Sequence, residues 1–149
     1  MTDVADLLPS AKDFMKKIAL AEAEKASEEM RKRSAEETEK TALIEQMSKP
    51  SGVSDDEAIR RAVAIIERAT GNGLSEVLVY RFPNQLCTDR GRAINQQEPG
   101  WEATLTGVPK EIHALWARHF RPRGYKLRVQ IIDFPGGMPG DVGMTLVWS

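Results

Sequence analysis

From Ser10 to Lys49 the chain carries neither glycine nor proline. Nothing in that stretch can break a helix, and Ala, Glu, Lys and Met, all strong helix formers, dominate it. Ser10 followed by Asp13 is a capping-box pattern, and Pro9 marks the start. Acid-first i,i+4 pairs, Glu28 with Lys32, Glu29 with Arg33 and Glu36 with Lys40, add local support of about 0.2–0.5 kcal/mol each. The expectation is one long helix over residues 10–48. Any compact domain must be built from the residues C-terminal to that helix.

The apolar residues of this helix are unevenly spread. Leu7, Ala11, Phe14, Ile18 and Ala21 fall at heptad spacing with Met15 beside them, and Leu43, Ile44 and Met47 form a second apolar end. Between the two lies EAEKASEEMRKRSAEETEK, which offers only alanines and Met30. A sustained coiled coil needs about three to four unbroken heptads, and the pattern stops short of that. The helix therefore reads as a charged spacer with two sticky ends, or as an arm that pairs with itself or with a partner's helix. The interaction reading assigns protein binding to Phe14, Met15, Ile18, Leu43, Ile44 and Met47.

SKPSGV, residues 48–53, is a hinge pattern, which divides the chain into a helical arm and hinge over 1–53 and a compact domain over 54–149. Ser54 to Glu57 opens a second helix with a capping box, and Ile59, Ala62, Val63 and Ile66 share one face of it. EVLVYRF at 76–82 is a strand. A helix over 109–120 comes next, with Ile112, Leu115, Trp116 and Phe120 as its inner stripe. YKLRVQI then alternates apolar and polar residues strictly, with Tyr125, Leu127, Val129 and Ile131 inward, and VGMTLVW at 142–148 closes as a strand. The order helix, strand, helix, strand, strand predicts an α+β domain with two helices on one face of a three-stranded sheet. Strict alternation leaves the other face partly wet. A domain of about 95 residues suffices for one core.

Two connections stand out. PNQLCTDRGRAINQQEPGW, 83–101, is long for a loop in a compact domain, and such loops are often functional. DFPGGMPGD, 133–141, gathers glycines and prolines between two strands. A phosphate loop would end in Gly-Lys-Ser/Thr and lead into a helix, whereas this one ends in Asp141 and leads into a strand. It reads as a stiff hairpin loop holding Phe134 and Met138. Both connections come after a strand ending in Phe-Pro, so parallel neighbouring strands would bring them to one sheet edge. In that region Arg90, Arg92 and Trp101 are the candidate second protein contact.

Candidate chemistry is thin. Cys87, Asp89, His113 and His119 are the residue types of a cysteine-dependent enzyme, which requires an exposed thiol of lowered pKa with a base beside it. The spacing does not impose that arrangement: His113 falls on the polar side of its helix and His119 at the helix end. Nor do one cysteine and two histidines reproduce a zinc pattern, so neither metal nor cofactor is expected. The basic residues Arg81, Lys126 and Arg128 would lie on the open sheet face, which suits single-stranded RNA or another single-stranded nucleic acid. A net charge of -1 argues against bulk DNA or an anionic membrane as partner. The opening residues lack a signal-peptide pattern, so a cytoplasmic protein is the expectation. The leading reading is a non-enzymatic interaction or adaptor protein that uses its helical arm, with the nucleic-acid binder as the alternative.

Overall fold

A computed structural model describes residues 4–149, the side chain of Ala5 excepted. A short turn, α1 (Val4–Leu7), precedes the long helix α2 (Ala11–Ser48). The capping box forms as expected: the Asp13 N–H donates to Ser10 Oγ at 3.1 Å, and the Ser10 N–H reaches Asp13 Oδ2 at 3.4 Å. The three acid-first pairs are not among the ion pairs of the described residues; Glu28 pairs instead with Arg31, one position nearer.

Contacts divide the chain into a first unit ending at Ala42 and a second running from Leu43 to Ser149. The second unit is α+β, in the expected order. It comprises α3 (Asp55–Gly71), β1 (Glu76–Phe82), the short α4 (Arg92–Asn95), α5 (Gly107–Leu115), β2 (Lys126–Ile131) and β3 (Val142–Val147). A π-helical turn, Trp116–Phe120, continues α5. β3 lies in the middle of the sheet and pairs antiparallel with β1 on one side and β2 on the other. Among the described residues no helix is long and apolar enough to cross a membrane.

The two faces of the sheet are set by the register and by one extra residue. Leu78 pairs with Thr145 and Tyr80 with Met144, so Val79 is a bulge in β1. Beyond it Arg81 opposes Gly143 on the outer face, and Phe82 opposes Val142 on the inner. Without the bulge the two would exchange faces, because side chains alternate strictly along a strand. The inner face carries Phe82, Ile131, Val142, Met144 and Leu146, all buried.

The cover over that face has two parts. At one end Leu86, Cys87, Ile94 and Leu105 complete the core cluster with Phe82, Ile131, Val142 and Met144. Leu86, Cys87 and Ile94 belong to the stretch expected to be a long, weakly structured loop. It is instead a chain of short helical turns, Asn84–Leu86, Arg92–Asn95 and Trp101–Thr104, tied by a Cys87–Leu105 bridge. Its apolar residues, Leu86 and Cys87, Ala93 and Ile94, then Trp101 and Leu105, recur at no single period, which is why no periodic pattern revealed them. At the other end α3 and α5 lie over Val79, Tyr80, Leu127 and Leu146.

Ile44 and Met47 also pack against the core cluster. The compact unit thus starts at Leu43, earlier than the hinge pattern at 48–53 suggests. Gly107 permits this contact. Its φ is +60°, and a Cβ there would collide with the Met47 carbonyl oxygen. Only glycine satisfies both conditions.

Candidate binding surfaces

The residues expected to bind partners divide sharply. Phe14, Met15 and Ile18 are 47%, 63% and 50% exposed, and α2 has no buried residue along its whole length. Leu43 is likewise exposed. Ile44 and Met47 are spent inside the second unit, where they are partly buried. The near end of the apolar stripe is thus open and the far end largely occupied.

The outer sheet face carries Lys126, Arg128 and Gln130 from β2 and Glu76, Leu78 and Arg81 from β1, all exposed. Its charge is mostly internal. Arg128 pairs with Glu76 across the central strand. Arg81 donates from Nε to Asp141 Oδ2 at 2.7 Å and lies 3.3 Å from Asp133 Oδ2. Lys126 alone of the three basic residues has no ion pair among the described residues. Leu78 and Ile132 close over Gly143, where a Cβ would approach them to 3.0 and 2.7 Å.

Arg81 also closes the neck of the glycine- and proline-rich hairpin. Asp133 Oδ1 accepts from the Asp141 N–H at 2.5 Å, and the Gly140 N–H donates to the Asp133 carbonyl at 2.9 Å. The Asn84 side-chain amide reaches across to the Pro139 carbonyl at 2.7 Å. The two connections that leave β1 and β2 therefore meet at one end of the sheet. They do so with β3 between the two strands, which are parallel to each other but not neighbours. The loop displays Phe134 and Met138, both exposed, on a pinned base.

The residues of the 83–101 segment serve mainly the segment itself. Asp89 caps α4 by accepting from the Gly91 and Ala93 N–H groups. Arg92 is ion-paired with Glu98 at 2.8 Å, and Arg90 is exposed. Trp101 packs against the core and meets His113 edge-on, with ring centroids 5.6 Å apart. His113 then meets Trp116 at 5.5 Å, and the Arg121 guanidinium lies over the Trp116 ring at 4.5 Å. His113 is thus partly buried in an aromatic row rather than on the polar side of its helix, and burial holds its pKa below the usual 6.5.

Cys87 lies in the core, with its thiol pushed up to about 11 by burial. A thiol that is sequestered and raised is the reverse of an activated nucleophile. His119 is engaged elsewhere: its Nε2 lies 2.9 Å from Asp55 Oδ2, and Arg118 donates to the same carboxylate at 3.1 Å. These two partners hold the Asp55 pKa down. The π turn presents both side chains to the first turn of α3 and so clamps the two helices together. No group of metal-ligating side chains gathers among the described residues.

One feature escaped the residue pattern altogether. A cavity of about 530 Å³ opens between α3, α5 and the inner sheet face. α3 lines it with Ala58, Ala62 and Ile65, α5 with Ile112 and Leu115, and the sheet with Val79, Tyr80, Leu127 and Leu146. The alanines leave the space, since longer side chains there would fill it. On the outer flank of α3, Ile59, Val63 and Ile66 line a second hollow of about 410 Å³.

No family model, curated protein or solved structure matches this chain.

Proposed function

We propose that this chain is a non-enzymatic interaction protein whose long helix pairs with another helix, in the first instance that of a second copy. The observation behind this reading is the open stripe of Phe14, Met15 and Ile18 on a stretch of α2 whose residues are all exposed up to Leu43. Adjacent exposed apolar side chains on a helix gain free energy by meeting a matching stripe, which is the basis of helix-in-groove and coiled-coil recognition. Only one end of the stripe is available, so the contact is short and the expected association correspondingly weak. We place the protein in the cytoplasm, in keeping with a single cysteine carried as a buried free thiol.

The nucleic-acid alternative has less behind it. Two of its three basic residues, Arg81 and Arg128, are ion-paired within the chain, so binding a phosphate would mean giving up a carboxylate partner.

Sedimentation velocity on the full chain, beside the double variant Phe14→Glu, Ile18→Glu, tests the first reading. Glutamate keeps helix propensity, so circular dichroism should be unchanged while a dimer of the parent protein becomes a monomer. If the parent is monomeric throughout, capture from a lysate with nuclease treatment separates the rest. A nuclease-resistant protein partner lost in the double variant supports an arm that binds another protein. Capture that vanishes with nuclease, or is indifferent to both substitutions, overturns the arm.

A further inference from the structure

The cavity between α3, α5 and the inner sheet face is independent of the arm and has the makings of a ligand site. Its volume, 530 Å³, falls within the range of about 300–1,000 Å³ typical of small-molecule pockets. Its walls are apolar on three sides, from Ala62 and Ile65 on α3, Ile112 and Leu115 on α5, and Leu127 and Leu146 on the sheet.

The charged groups that line it are not equivalent. Asp55 is ion-paired with Arg118 at 3.1 Å and lies in hydrogen-bond reach of His119. Arg61 is ion-paired with Glu57 at 3.2 Å. Glu111 has only neutral donors: the Ser51 N–H at 3.2 Å and the Ser51 hydroxyl at 2.7 Å, with no cation within ion-pair distance among the described residues. Tyr80 lines the same cavity, its hydroxyl raised in pKa by burial and by the Glu111 charge. The uncompensated charge of the site is therefore negative and belongs to Glu111, an exposed residue that lines the apolar space.

We propose that this cavity binds a small amphipathic cation, an apolar or aromatic body carrying a protonated amine, with the body between α3 and the sheet and the amine on Glu111. Tyr80 supplies a hydroxyl oxygen to the same head group and its ring face to the body, while the Glu111 carboxylate favours cations over anions. Specificity resides in two elements. The alanines of α3 set the thickness of the space, and Glu111 sets the sign of the charge.

The test uses the full chain and two probes of matching size and opposite charge, 1-naphthylmethylamine, protonated at neutral pH, and 1-naphthoate. Isothermal titration and backbone-amide NMR shifts report affinity and location. The amine should bind about tenfold more tightly than the carboxylate, with shifts at Tyr80, Glu111, Ile112 and Leu127. In Glu111→Gln the two probes should become nearly equal. Ala62→Phe, which fills the space, should abolish binding of both. Should that variant fail to fold, Ala58→Leu and the shift map of the parent protein carry the same information.

Three results would overturn the proposal. One is equal or stronger binding of naphthoate by the parent protein. Another is amine shifts confined to other residues, or retained binding in a folded Ala62→Phe. The third is concentration-dependent shifts at the cavity residues without any probe, which would assign the space to a side chain of a second copy.

Discussion

His113 shows how a residue's setting can reverse what its type suggests. Its ring lies between Trp101 and Trp116, with Glu102 and Arg121 as the charges that act on it, and burial favours the neutral imidazole. A base whose folded pKa is lowered binds its proton first in the unfolded chain. Stability is therefore complete above the usual value of 6.5 and declines as the pH falls through it toward the lower folded value. We predict that the parent protein loses melting temperature between pH 7.5 and 5.5, and that His113→Phe loses distinctly less over the same interval. Thermal unfolding at both pH values checks this; parallel curves would show that His113 is not protected. Cys87 makes the same point more simply. Its type suggested chemistry, whereas its place beside Leu86, Ile94 and Leu105 makes it a small apolar core residue.

At the level of elements, the parts with a clean period were legible and the aperiodic parts were not. α2, α3, α5 and all three strands arise from helical or alternating patterns and from punctuation such as Pro50 and Gly124. The segment from Leu86 to Leu105 supplies much of the core yet shows neither period, because its turns are held by caps such as Asp89 and by tertiary contacts. The cavity was invisible for a related reason: an unfilled space depends on how far apart two elements stand, which no local pattern encodes. The bulge at Val79 sits between these cases. β1 reads as a strand, but strict alternation alone would put Arg81 and Phe82 on the wrong faces. Deleting Val79 should therefore be tolerated, because with Leu78 followed directly by Tyr80 the pairs Tyr80–Met144, Arg81–Gly143 and Phe82–Val142 form without a bulge and keep their faces. Chemical denaturation should show a cooperative transition for the deletion, lowered only by the loss of one partly buried side chain; a lost transition would mean that the bulge itself is needed.

The molecule as a whole divides where its packing changes rather than where its chain bends. The glycine and proline at 50–52 end α2, but Ile44 and Met47 before them belong to the core. We predict that residues 43–149 unfold at a higher urea midpoint than residues 54–149. Removing two partly buried aliphatic side chains should lower stability by about 2–4 kcal/mol. Equal midpoints would mean that the end of α2 only rests on the domain. The first unit obeys a different logic, since the exposed part of α2 before Leu43 answers to what it meets rather than to an interior of its own.

The central strand of the sheet, β3, is also the last of the three to be made. Neither β1 nor β2 has any other strand to pair with, so each leaves the ribosome with an unsatisfied edge. Both must wait until residues 142–147 have been synthesised. Helices α3 and α5 can form early, but the inner sheet face they cover does not yet exist. During translation this domain is therefore a set of helices around exposed apolar segments. Its nascent chain should need shielding, by the ribosome surface or by a chaperone, until the final strand slots between its neighbours.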